Sequence, residues 1–264
     1  MNNISSQDTP ESMDKTGILG CLRLPKFNAV IIGNGAIGTA LMLALLENQG
    51  LSHLVVLGRT QRELVNDSRV TYLHLDAEQP DSIKRGATAT RQVFEHCHLL
   101  INTVGMLYTE VHKPEKRLRD VNAEHLQKSF FINAVLLPLL AQAFASLMRH
   151  SEPAVLASLS ARVGSIEDNQ LGGWYSYRAA KAAQNMLLRT LSREWGFSHR
   201  NVSVVALHPG TVESPLSAPF ISKSYSNRVL TARESAAALI AVIDKLHPGQ
   251  SGEFFDWQGA RIPW

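Results

Sequence analysis

Tyr177 and Lys181 stand four residues apart in Tyr177-Arg178-Ala179-Ala180-Lys181, a stretch of good helix formers. On a helix that spacing brings both side chains to one face and sets a cation beside a phenol. A free phenol titrates near about 10, and an ammonium about 5 Å away favours the phenolate, so a lowered Tyr177 is expected, with burial opposing the change. A tyrosine tuned in this way gives or takes a proton near neutral pH. Tyr175, six residues before the lysine, falls elsewhere on the helix. Many helices carry a Tyr-x-x-x-Lys pair by chance, so its meaning depends on the elements around it.

Those elements alternate. Apolar, β-branched runs at 27–32, 54–57, 70–75, 99–102, 154–159, 202–207 and 253–256 read as strands, and the longest helical patterns are 37–49, 122–148, 174–195 and 232–246. The strand runs are nearly continuous rather than alternating, as in a parallel sheet covered on both faces. The pattern predicts an α/β doubly wound (Rossmann-type) sheet of about seven strands, whose ligands bind beyond the carboxyl ends of the strands.

After the first run comes Gly33-Asn34-Gly35-Ala36-Ile37-Gly38, then an uninterrupted helix. Glycines there let the backbone turn tightly and approach a pyrophosphate set against the helix N–H groups. After the second run the chain reads Gly58-Arg59-Thr60, with no acid to grip ribose hydroxyls. An arginine suits the 2′-phosphate of NADP, so NADP(H) is expected over NAD(H). Asp76 follows the third run and Asn102 to Gly105 the fourth; they suit the adenine end and the cofactor cleft, or equally a cap or turn.

The net charge of +3, with cations scattered among acids, makes no case for nucleic acid or a membrane surface. No apolar run is expected to reach the roughly 20 residues of a membrane span. Residues 1–16 are polar and unlike a secretory leader, so residues 1–26 read as a tail, partly disordered, before one domain at 27–264. Two cysteines, Cys21 and Cys97, fit a reducing cytoplasm. His96-Cys97-His98 lacks a second cluster at ligand spacing, and no metal site is expected.

Together these positions resemble the short-chain dehydrogenase/reductase family from Phe27 to the C-terminus. The resemblance implies that Tyr177 is the catalytic acid or base and that Lys181 contacts the nicotinamide ribose and lowers the tyrosine's pKa. It further implies that Ser160 holds a substrate carbonyl and that Asn133 completes a proton relay. Asn102-Thr103-Val104-Gly105 resembles the family's Asn-Asn-Ala-Gly segment, and His208-Pro209-Gly210-Thr211-Val212 its Pro-Gly turn over the nicotinamide. Pro114-Glu115-Lys116, Ser165-Ile166, Gly172-Gly173-Trp174-Tyr175 and the ending Gly252-Glu253-Phe254-Phe255-Asp256 are similar to the branch with C-factor and sniffer-type carbonyl reductases. The long helical patterns 122–148 and 174–195 resemble those that pair subunits, implying a homodimer or homotetramer.

Two positions depart from the family pattern. The glycine loop is one residue short, with Ala36 where a glycine is usual, tolerable where the backbone avoids the left-handed region. Ser160 lies further from Tyr177 than is usual, with Gly164 at the commonest serine offset and Ser158 and Ser165 as alternatives. The implied activity is reduction of an aldehyde or ketone with NADP(H); the alternative is a nucleotide-binding signalling protein of C-factor type with little turnover. An apolar substrate pocket is expected from loops 106–113, 166–174 and 214–230, with Leu107, Leu171, Trp174 and Phe220 as candidate walls.

Overall fold

The computed structural model describes residues 20–60, 63–221 and 228–264. The leader through residue 19 and part of the expected pocket loop 214–230 lie outside the described residues. The chain runs β1 (Phe27–Ile32), α1 (Ala36–Leu46), β2 (Leu51–Gly58), β3 (Val70–His74), α2 (Pro80–Arg91), β4 (Leu99–Asn102), α3 (Ala123–Phe130) and α4 (Leu136–Phe144). It continues with β5 (Ala154–Leu159), α5 (Tyr175–Ser198), β6 (Val202–His208), the short β7 (Thr211–Val212) and β8 (Val229–Leu230), α6 (Ala232–Asp244) and β9 (Phe254–Asp256). The seven expected strands form one sheet in the order β3-β2-β1-β4-β5-β6-β9, with every pairing parallel.

Both faces of the sheet are covered, which is why the strand runs are apolar throughout. One face packs Leu41, Met42 and Leu45 of α1 with Leu239 and Ile243 of α6; the other packs Ile83 of α2, Leu136, Leu140 and Phe144 of α4, and Leu188 and Trp195 of α5. Cys21 and Leu22, in a 3-10 turn ahead of β1, are buried with the first group. The packed chain therefore includes Cys21 and Leu22, ahead of Phe27.

The apolar stretch Ala123–Met148 corrects one expectation. It is helical and, with a mean hydropathy of 1.9, long and apolar enough to cross a membrane on length and composition. Half of its most apolar window is buried inside the protein, as in a core helix. The stretch is not a uniform α-helix: residues Phe131–Val135 form a π turn between α3 and α4. Pro138 cannot donate to the carbonyl of Ala134, which disfavours regular α-helix just there.

Candidate active site

Ligand-facing residues gather beyond the carboxyl ends of the strands. A cleft of about 830 Å³ is lined by Ile37 after β1, Ser160 and Ala161 after β5, His208 to Val212 after β6, Asp256 and Trp257 at β9, and Tyr177 of α5. All three expected pocket loops contribute, and Leu107, Leu171, Trp174 and Phe220 all line it. Charge enters through Arg162, which bonds Asp168 at 3.2 Å and the buried Asp256 at 3.3 Å.

The Tyr177 side chain is half-buried and its hydroxyl has no hydrogen-bond partner among the described residues. Lys181 lies beneath, with Nζ 5.8 Å from the phenol centroid. It is buried and donates to the Leu159 carbonyl at 2.9 Å and to Gln184 Oε1 at 2.8 Å. Gln184 Nε2 donates to Ser158 Oγ at 2.7 Å, which also accepts from Asn102 Nδ2 at 3.0 Å. Burial lowers Lys181 from 10.5 to about 7, whereas burial raises Tyr177 above its ordinary 10.

The expectation of a lowered phenol is therefore overturned. In this geometry withdrawal from water governs both groups, because the lysine turns its donors to Leu159 and Gln184 rather than to the phenol oxygen. Tyr175, set aside in the sequence, is exposed.

Asn133 sits buried in the π turn, a feature that recurs at functional sites. Its Oδ1 accepts from Met106 N at 2.9 Å, and its Nδ2 donates to Met106 O at 2.8 Å and Ser129 O at 3.0 Å. A Cβ placed on Gly105 would lie 3.4 Å from Asn133 Oδ1 and 3.6 Å from Lys181 Nζ, so both side chains come close to Gly105.

The serines separate clearly. Ser160 lines the cleft, but its hydroxyl donates to Asn185 Oδ1 at 2.7 Å, and no hydrogen bond joins it to Tyr177. Ser158 serves Asn102 and Gln184, and Ser165 bonds the Trp264 carbonyl; neither lines the cleft. At Gly164 a Cβ would come within 2.7 Å of Lys181 Cβ, so a serine does not fit at that offset. Gln184 and Asn185 were not foreseen; the three-residue spacing of Lys181 and Gln184 on one helix was the available signal.

The glycine loop has the shape of a dinucleotide cradle. Gly33 has φ +101°, and a Cβ on Gly38 would lie 2.0 Å from the Gly33 carbonyl, so the turn and the helix touch only because both lack side chains. Gly35 opens on space and leads into α1 with no side-chain cap, leaving the first-turn N–H groups for an anion. Ala36 begins the helix outside the left-handed region, so its methyl is accommodated. Asn34 instead turns its Nδ2 to the Thr60 carbonyl at 2.7 Å, tying the loop to the end of β2.

Arg59 is exposed beside that tie and makes no ion pair among the described residues. Asp76 is engaged locally, accepting from Glu78 N and Gln79 Nε2 at 3.0 Å each, and Asn102 is held by Ser158 and Val104 N. Of the expected cofactor residues, Ile37, Tyr177, Pro209, Gly210 and Val212 line the cleft itself.

His98, His150 and Glu152 bring ligand atoms within 4.8 Å of one another at the opposite end of the sheet. His98 Nδ1 accepts from Asn28 N at 3.0 Å, so its ring proton sits on Nε2 and is donated to Glu152 at 2.6 Å. Cys97 turns its thiol to the Leu99 carbonyl, away from the group.

Residues 28–224 match the family model described as short chain dehydrogenase. C-signal of Myxococcus xanthus is 34% identical over 147 residues, covering 56% of this chain and 83% of that protein. A 1-hydroxy-2-glutathionyl-2-methyl-3-butene dehydrogenase of Rhodococcus sp. (strain AD45) is 40% identical over 114 residues, 43% of this chain and 48% of its own length. In three dimensions the carbonyl reductase Sniffer of D. melanogaster superimposes with a TM-score of 0.78 at 24% identity, covering 90% of this chain and all of that one. An NADPH-bound carbonyl reductase from chicken fatty liver gives 0.76 with the same identity and coverage.

Proposed function

The chain belongs to the short-chain dehydrogenase family and is an NAD(P)-dependent oxidoreductase with a small-molecule substrate, and from that premise we propose that it reduces an aldehyde or ketone to an alcohol with NADPH. The observation that carries this reading is the Tyr177 hydroxyl on the cleft wall, uncommitted, above a buried lysine whose proton is held only to about pH 7.

Ile37 and the Pro209-Gly210 turn, which line the cleft, would hold a nicotinamide, and that group would supply a hydride to the carbonyl carbon. Tyr177 then delivers its proton to the carbonyl oxygen. With its pKa raised by burial, the phenol is protonated at neutral pH and so holds the proton to be given. Lys181 restores the proton, with Asn133, which also lies close to Gly105, completing the path by way of water. Ser160 polarises the carbonyl only by turning its hydroxyl away from Asn185.

NADP(H) is favoured because Arg59 offers, at the end of β2, a guanidinium with no ion pair among the described residues, and a charge-assisted contact to a 2′-phosphate is worth about 1.5–3 kcal/mol. The carbonyl reductase from chicken fatty liver binds NADPH, and a neighbour from Burkholderia multivorans binds NADP, which supports the same choice. Exposed Met186 on α5 and Val135 in the π turn offer apolar surface for a homodimer or homotetramer. The cytoplasm is proposed as its compartment from the sparse cysteines. A second reading, a signalling protein with little turnover, draws on the C-signal relative and on the committed Ser160 hydroxyl.

Oxidation of NADPH and NADH against a panel of carbonyls, with Tyr177→Phe alongside, separates the two. Tyr177→Phe is expected to lower kcat about 100- to 10,000-fold with cofactor binding nearly intact. Negligible wild-type turnover would favour signalling, and equal affinities for the two cofactors would remove the argument from Arg59.

A further inference from the structure

Two motifs singled out in the sequence play no part in the proton relay: Pro114-Glu115-Lys116 and Gly172-Gly173-Trp174-Tyr175. The fold brings them together at the start of α5. Trp174 is in the left-handed region, φ 51° and ψ 44°, the one non-glycine residue with positive φ among those described. Its N–H donates to the Glu115 carbonyl. Two residues later, Ser176 donates its N–H to Glu115 Oε2 at 3.3 Å and its hydroxyl to Glu115 Oε1. Glu115 is 2% exposed.

Helix α5 has no acidic residue in its first turn, and Trp174 gives it no side-chain cap. A carboxylate arriving from 61 residues away supplies both, accepting an otherwise unpaired N–H where the helix dipole favours negative charge. The clamp has two outlets. The left-handed turn holds the Trp174 indole on the cleft wall, 6.3 Å from the Tyr177 ring and 5.2 Å from Phe220. On the other side the Ser176 carbonyl accepts from Ser129 Oγ at 3.3 Å, and Ser129 Oγ accepts from Asn133 Nδ2 at 3.1 Å. One chain of hydrogen bonds thus runs from Glu115 to Asn133.

We infer that Glu115 is a positioning residue: by clamping the first turn of α5 it fixes Trp174 as the cleft wall and sets Tyr177 and Asn133 relative to each other. The inference rests on the catalytic reading of Tyr177 for its kinetic consequence, but not for its structural one.

Glu115→Ala, Glu115→Gln and Ser176→Ala in the full chain test it by steady-state kinetics, NADPH titration and amide hydrogen exchange. In Glu115→Ala, kcat is expected to fall about tenfold or more with the NADPH Kd within about twofold, since α5 starts in the wrong place while the glycine loop is untouched. The Ser176 amide should exchange about tenfold faster, as expected when a cap is lost. Glu115→Gln keeps one acceptor oxygen and should recover most of both effects. If Glu115→Ala does not fold, Ser176→Ala, which deletes only the hydroxyl contacts, should show the same changes in weaker form.

Wild-type kcat with unchanged Ser176 exchange in Glu115→Ala would overturn the inference. So would equal losses of kcat and NADPH affinity, which would mark general damage. Should the wild type reduce no carbonyl at all, the functional reading fails separately. The exchange at Ser176 then still decides the clamp.

Discussion

Strands β4 and β5 carry a polar cluster at each end, and the two clusters serve different purposes. At the carboxyl ends, Asn102, Ser158, Gln184 and Lys181 form a buried network in which the lysine's proton is held only to about pH 7. At the amino ends, His98 is locked by two bonds, one from Asn28 N–H and one to Glu152. A labile proton beside a cleft suits chemistry; a side chain that ties the start of one strand to a loop suits architecture. Burial alone does not distinguish them, since Lys181 and His98 are both buried. What differs is what each group joins: Lys181 lies under Tyr177 on the cleft wall, whereas His98 ties Asn28 of β1 to Glu152.

The comparison is broken most directly at Lys181. Lys181→Ala is expected to lower kcat about 100-fold or more and to weaken NADPH binding. A kcat within threefold of wild type, measured with saturating cofactor, would place the labile proton outside the reaction.

The opposite end should respond in stability instead. His98→Ala strands a half-buried Asn28 N–H and is expected to cost about 1–2 kcal/mol in urea unfolding, with kcat unchanged in the folded protein. A kinetic defect there, with normal stability, would erase the distinction between the two ends.

A smaller effect sharpens the contrast. Because the folded-state pKa of Lys181 is about 7 against 10.5 ordinarily, both states hold the proton below about pH 7, and only the unfolded state holds it between those values. The unfolded chain then binds more protons, so the stability of the cofactor-free protein should rise with pH across that window. Tyr177 opposes this only above about 10, where the unfolded phenol ionises before the raised folded one. Urea midpoints measured from pH 6.5 to 9.5 should climb in the wild type and lie flatter in Lys181→Met. Parallel profiles would show that the lysine stays protonated when buried.

Much of this was legible because it rests on local pattern. The run 27–32 is β1 residue for residue, since an apolar strand ending in glycines states both of its limits. Pattern failed where distant chain decides. The second strand starts at Leu51, earlier than its most apolar part, because β1 offers partners from Phe27 onward. The long helix 122–148 is interrupted at the π turn, for which Pro138 was the visible but unread signal.

By itself the sequence determined the parallel sheet, the glycine turn and the shared face of Tyr177 and Lys181. Each follows from residue type and a spacing of a few positions. Only the tertiary structure decided that burial outweighs the lysine's charge in setting the phenol pKa, that Ser160 spends its hydroxyl on Asn185, and that Glu115 caps the helix carrying Tyr177. The physical reason is common to all three: desolvation and hydrogen-bond partnership depend on groups brought from elsewhere in the chain, and no local period encodes them.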